Sequence, residues 1–294
     1  MKIFFLLFFF LSQILGATEV RILFSSSLNG NLDGCNCKAR PISGMVKRGS
    51  WIEEYRKKYP DVILVDTGDS LIDKNDLKKA KAIYESFSLL KYDAYLVGET
   101  DLAIGISNFF EYTKNLKLVG TNFMYNPGFL KRNQSFGSTE IILNKNQLNI
   151  RILGYLNEDV LLYTSENIKS KIKYLKEGRL PRSNSNLNLT LALSHAGYDK
   201  DMKWVSDIDF PLIVIGGHDQ YQPKEGAGFE VYGGIWYFQS GADGNQIGEI
   251  VLDVKQNGSF KVISHKLHTI DTITTPDHRQ IRDLIIHLRE AGTQ

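Results

Sequence analysis

Five short polar clusters, each at the end of an apolar run, hold the residues of this 294-residue chain whose types and spacing could do chemistry. Asp69 follows Gly68 after the run 62–65. Glu99, Thr100 and Asp101 follow Gly98 after the run 94–97. His195 follows Ser194 after 189–193, and His218, Asp219 and Gln220 follow Gly216-Gly217 after 212–215. The fifth cluster, after 20–24, carries Ser27 and Asn29. Taken singly, Asp69 reads as an acidic turn residue and His195 as a buried ring bonded to backbone. Two imidazoles and several carboxylates repeated in the same setting instead form a donor set for a divalent metal ion.

The elements that must position these residues are strands. Apolar runs without polar alternation fit strands covered on both faces, and open α/β sheets present ligand-binding groups at the carboxyl ends of such strands. Between them lie helical patterns. One helix is expected at about 44–58, with Arg56, Lys57 and Lys58 in its last turn, where cations suit the helix dipole. A second starts at a cap on Asn75 or Asp76, with Ala80, Ile83, Tyr84, Phe87 and Leu90 facing the core. Ser107 opens a short helix through Tyr112. Two strands near 140–143 and 149–153 are joined as a hairpin, and residues 165–175 read as a solvated amphipathic helix. Residues 179–186 are the most linker-like stretch, yet the strand series continues across them. After His218 come short strands separated by glycines, then a last helix at about 277–291.

The ordered set Gly-Asp, Gly-x-x-acid, Ser-His and Gly-Gly-His resembles the metallophosphoesterase domain of the calcineurin-like superfamily, in particular its secreted 5′-nucleotidase branch. The similarity runs over about residues 19–270 and includes the helix start Ser43-Gly44-Met45-Val46-Lys47-Arg48-Gly49. It implies an α/β fold, a four-layer α-β-β-α sandwich of two mixed sheets flanked by helices. It also implies a metal site that acts on small phosphorylated molecules.

Several positions depart from the family pattern. The resemblance places Asp and His ligands of a first metal at Ser27 and Asn29, and a further histidine ligand at Gln220. A hydroxyl and amides replace an anion and imidazoles there. Thr100 stands where the family has a histidine that assists the leaving group, and Glu99 stands where it has an asparagine. Sorted by metal, the first site keeps only Asp69, whereas the second keeps Asp69, His195 and His218 and gains the Glu99 carboxylate. The expectation is one divalent ion, Zn²⁺, Mn²⁺ or Fe²⁺, held by Asp69, Glu99, His195 and His218.

Composition bounds the rest. With 43% hydrophobic and 23% charged residues, the chain is globular and long enough to bury a large core. A net charge of +2 gives no electrostatic case for nucleic acid. Met1-Lys2, the apolar run 3–11 and Leu15-Gly16-Ala17 read as a signal peptide spanning residues 1–17, too short for a bilayer span of about 20 apolar residues. An exported, periplasmic or extracellular protein is expected, with no stable membrane span once the leader is removed. Residues 18–294 then form one metallophosphoesterase-like domain without the nucleotide-binding second domain of the 5′-nucleotidase branch. Cys35 and Cys37 are the only cysteines. Their spacing would close a small ring, so thiol ligands for a soft metal, a redox pair and inert thiols all stand open. His265, His268, His278 and His287 show no ligand spacing. The functions in view are a weak or altered phosphoester hydrolase, a metal- or anion-binding protein without turnover, and a Cys-x-Cys thiol or soft-metal protein.

Overall fold

Residues that alternate between two apolar environments build the central layers. In β10 (Leu212–Gly216), Ile213 and Ile215 join the main core, while Leu212 and Val214 join a smaller cluster on the opposite face. β9 (Leu189–His195) repeats this with Leu191 and Leu193 on one side and Ala192 on the other. These runs are apolar throughout because both faces are covered, as the sequence predicts. The computed structural model describes residues 17–38, 41–72, 76–126, 128, 134–174, 186–219, 227–241 and 243–290. The leader through residue 16, the linker-like stretch up to residue 185 and Gln220 lie outside the described residues.

The first strands in chain order are β1 (Thr18–Ser25), β2 (Ile63–Asp66) and β3 (Ala94–Tyr95), parallel to one another. They are followed by β4 (Phe123–Tyr125), β5 (Gln134–Ser135), β6 (Ile141–Lys145), β7 (Leu148–Leu156) and β8 (Ile172–Tyr174). After β9 and β10 come β11 (Gly228–Tyr232), β12 (Ile235–Gln239), β13 (Gln246–Val254) and β14 (Phe260–Thr269). One sheet has the order β14-β13-β1-β2-β3, a second β11-β12-β10-β9-β7-β6, and a small third β5-β4-β8. Both large sheets are mixed: β1–β3 run parallel beside antiparallel β13, and β7, β9, β10 and β12 run parallel between antiparallel edges. The sheets meet face to face, with Phe24 of β1 edge-on to Phe238 of β12 at 6.2 Å.

Three helices, α1 (Gly44–Lys58), α2 (Leu77–Leu89) and α6 (Arg279–Glu290), pack on one another and feed the main core. Asp76 caps α2 by accepting from the backbone N–H of Lys79 at 3.0 Å. Between them in sequence lie α3 (Ile106–Tyr112), α4 (Glu166–Lys169) and α5 (Tyr198–Val205). α5 covers the far face of the six-stranded sheet through Met202 and Val205. The result is the mixed α/β layering expected from the sequence.

One element differs. The helix expected over 165–175 stops after one turn at Lys169, and β8 takes over, pairing Ile172 with Tyr125 of β4. Ile168 and Ile172 share helical spacing, but Ile172 is buried as a strand residue, so tertiary pairing overrides the local pattern.

Packing between the sheets should dominate stability. Ile215→Ala, at a fully buried position, is expected to cost about 2–5 kcal/mol in urea unfolding, whereas Ile263→Ser, on a side chain 54% exposed, should stay within about 0.5 kcal/mol.

The α5 end of the six-stranded sheet carries a second sensitivity. Asp201 is fully buried, accepts from Ser194 Oγ at 2.5 Å and Trp204 Nε1 at 2.8 Å, and leaves Oδ2 with no partner among the described residues. Burial pushes its carboxyl up to about 7. The folded state therefore holds this proton more tightly than the unfolded chain. Its contribution to stability is complete below about pH 4 and is lost as pH rises toward 7. Chemical denaturation from pH 4 to 8 should show a decline in the wild type, and Asp201→Asn should lessen it.

Candidate metal centre

The carboxyl ends of β1, β2 and β3 face those of β9 and β10, so loops from both sheets meet. Within the first sheet, the loops after β1 and β2 are joined backbone to backbone: Ser27 N–H donates to the Gly68 carbonyl at 2.8 Å and Asn29 N–H to the Asp69 carbonyl at 3.2 Å. Thr67 Oγ1 crosses to the other sheet and donates to the Gly216 carbonyl at 3.4 Å. Ser27, Asn29, Asp69 and His218 all have left-handed backbone, with φ of 48°, 51°, 60° and 78°. Each is a costly conformation for a residue with a Cβ, and such clusters accompany functional sites.

Asp69, Glu99, His195 and His218 offer ligand atoms that all lie within 4.8 Å of one another. His195 is fully buried, and its Nδ1 sits 2.5 Å from the Thr67 carbonyl. A carbonyl only accepts, so Nδ1 carries a proton and Nε2 is the ring atom that would ligate an ion in this cluster. Nε2 lies 2.7 Å from Glu99 Oε2 and 3.4 Å from Asp69 Oδ2. His218 Nδ1 lies 3.1 Å from the other Glu99 oxygen. Asp69 is oriented by Thr100, whose backbone N–H and hydroxyl both donate to Oδ1, at 3.1 and 3.0 Å.

The electrostatics favour positive charge at the centre. Burial would lower the His195 pKa, but the charges and hydrogen bonds of Asp69 and Glu99 outweigh it and hold it well above the ordinary imidazole value. Burial would raise Glu99, yet its hydrogen bonds to His195 and His218 hold it well below the ordinary carboxylate range. Two carboxylates and two imidazoles match a divalent cation in both charge and donor type.

Behind the donors stands Asp101, fully buried, which accepts from the N–H groups of Asp69, Ser70 and Gly98 and from the hydroxyls of Tyr84 and Tyr95, all at 2.8–3.1 Å. Gly98 has no room for a side chain, since a Cβ there would lie 2.3 Å from Asp69 Oδ1 and 2.8 Å from His195 Cε1.

The other sequence candidates separate from this cluster. Ser27 Oγ contacts Ser26 Oγ at 3.1 Å, and Asn29 Nδ2 donates to Asp243 Oδ1 at 3.0 Å. Cys35 and Cys37 are joined as a disulfide with Cα atoms 5.3 Å apart, so the small ring does close. Of the remaining histidines, His268 contacts Glu249 and His278 contacts Glu53, each as a pair away from the four donors. Sequence reasoning treated Thr100 only as a lost histidine and missed its clamp on Asp69. No local signal marks the Thr67 carbonyl or Asp243, which reach the site through folding alone.

No protein-family model matches the sequence. The chain is similar to a snake venom 5′-nucleotidase from Crotalus adamanteus, 20% identical over 223 residues, covering 71% of this chain and 38% of that protein. A 5′-nucleotidase precursor from Thermus thermophilus superposes with TM-score 0.75 and 14% identity, covering 94% of this chain and 59% of the other. The calcineurin-like phosphoesterase YfkN from Bacillus subtilis superposes with TM-score 0.69 and 17% identity, covering 94% of this chain and 98% of the other. The fold is therefore that of the calcineurin-like metallophosphoesterases. Within that class it has the 5′-nucleotidase-like form, although the chain spans well under half the length of the curated venom relative.

Ligation stabilises only the folded state, so removing a ligand should lower metal content and thermal stability together. His195→Ala and His218→Ala are each expected to lose bound ion by elemental analysis and to lose the rise in Tm that added Mn²⁺ gives the wild type. Undiminished stoichiometry in both variants would remove the assignment.

Proposed function

We propose that this chain is an exported 5′-nucleotidase-like metallophosphoesterase that holds one divalent ion and hydrolyses small phosphoesters weakly or with altered preference. The observation that carries this reading is the convergence of Asp69, Glu99, His195 and His218, with the His195 tautomer fixed by the Thr67 carbonyl. Bound there, Zn²⁺, Mn²⁺ or Fe²⁺ would supply Lewis acidity toward a phosphoryl oxygen. The chain's own residues set what else can happen. Asp69 and Glu99 contribute the negative charge that retains a cation, and the two histidines complete the donors.

Thr100 cannot replace an imidazole acid, because its hydroxyl is committed to Asp69 Oδ1. Asn29 turns its amide to Asp243, and Ser27 offers only a hydroxyl. The absence of a leaving-group acid and of a second ion's ligands each lowers rate by a factor of about 10² or more. Slow turnover survives that loss, and so does a binding role without turnover. The disulfide occupies both thiols, which confines a thiol or soft-metal role to the reduced protein. Export rests on the leader at residues 1–17, and no helix among the described residues is long and apolar enough to cross a membrane.

With excess Mn²⁺, the wild type should hydrolyse nucleoside monophosphates and an activated aryl phosphate far more slowly than a two-metal relative. The combined variant Ser27→Asp, Asn29→His, Thr100→His and Gln220→His should gain rate and a second bound ion. Each single change should do little, because a half-built site holds no ion. Fast turnover by the unmodified protein would overturn the one-metal reading.

A further inference from the structure

A cavity of about 570 Å³ opens directly beside the metal donors, and Glu99 and Thr100 form its shared wall. Its volume falls in the range of small-molecule sites. Away from that wall the lining divides into two kinds. Leu102, Ile106 and Tyr125 give it apolar lining. Thr164 and Lys171 line it too. Thr164 is only 8% exposed, and its hydroxyl has no hydrogen-bond partner among the described residues. A buried hydroxyl without a partner costs free energy that a ligand group reaching it recovers.

Lys171 is half-buried, and no carboxylate among the described residues pairs with it. Its backbone is fixed on both sides: its N–H donates to the Ile168 carbonyl at 3.0 Å, and its carbonyl accepts from Asn126 at 2.7 Å. This placement depends on the switch from α4 to β8, which sets Lys171 in the turn just before the strand instead of on a continuing helix.

We propose that this cavity is the subsite for the organic part of the substrate, and that it selects a phosphomonoester whose organic group has an apolar, flat body and a second anionic group. The inference rests on the hydrolase reading above for the placement of the phosphoryl group. The body packs against Leu102, Ile106 and Tyr125, the anion pairs with Lys171, and Thr164 donates a hydrogen bond to it. Recognition is thereby supplied inside this domain, by residues 99–106, 125 and 164–171. A carboxylate and a second phosphate share this chemistry.

Hydrolysis-inert probes separate the parts. Benzylphosphonate, 4-carboxybenzylphosphonate and the corresponding para-bisphosphonate are titrated calorimetrically into the Mn²⁺-loaded protein. The wild type is expected to bind at least one doubly anionic probe about 10-fold more tightly than benzylphosphonate. Which of the two is preferred distinguishes carboxylate from phosphate. Lys171→Met should collapse that ratio to about 1, and Thr164→Val should reduce it several-fold. Ala103→Phe, which fills the cavity from a partly exposed position, should remove the discrimination while metal content stays unchanged.

A parallel titration of metal-stripped protein with 4-methylbenzoate, which has no phosphorus, tests the cavity apart from the ion. Binding that Ala103→Phe abolishes supports the subsite, even where the phosphonates fail to bind and the metal assignment falls. A wild-type ratio near 1 for both doubly anionic probes, or a ratio unmoved by Lys171→Met and Ala103→Phe, overturns the proposal.

Discussion

The buried carboxylate of Asp101 ties the site together. It takes hydrogen bonds from three backbone N–H groups in two different loops, at Asp69, Ser70 and Gly98, and from the hydroxyls of Tyr84 on α2 and Tyr95 on β3. Burial, followed by the nearby Asp69 charge, pushes this carboxyl up to about 6. The five donors offset that penalty, since hydrogen bonds to a charged group are worth about 1.5–3 kcal/mol each. Through them, the left-handed turn at Asp69 and the side-chain-free approach at Gly98 are held in one arrangement. That arrangement sets the backbone from which Asp69 and Glu99 reach the candidate metal centre.

A second buried acid shows what weaker support looks like. Asp66 accepts from Ser25 Oγ at 2.6 Å and from the Gly68 N–H at 2.8 Å, and its nearest cation is Arg48 at 3.9 Å. Arg48 is fully buried, and its guanidinium nitrogens have no hydrogen-bond partner among the described residues. Burial pushes the Asp66 carboxyl up to about 7 despite that cation, so the pair is a poor source of net stability. It fixes the start of the Asp66–Asp69 turn beneath the site, where shape matters more than binding energy.

The polar residues at the strand tips are engaged with one another. Asn29 is paired with Asp243, Thr100 clamps Asp69, and Glu99 bridges both histidines through separate oxygens. Asn29 and Thr100 thereby have internal partners at the strand tips. The cavity beyond Glu99 opens from the same rim, so whatever binds at the donors borders a surface with its own chemical preference.

The strands, their covered faces and the four residues that cluster at the strand tips were legible in the sequence, because uninterrupted apolar runs ending in glycine and a polar residue have few other solutions. The bounds of α1 and the Asp76 cap of α2 followed from local chemistry in the same way. The sequence alone could not show that Ile172 would leave a helical pattern to pair with Tyr125, since that pairing is decided by a strand far along the chain. Nor could it show that the Thr67 carbonyl sets the His195 tautomer, that Asp243 takes the Asn29 amide, or that Cys35 and Cys37 close on each other. Residue types and periodicity are local, so they determined the layers and the donor set. Orientation, hydrogen-bond partners and the cavity arise where segments distant in sequence meet, and only the tertiary structure decided those.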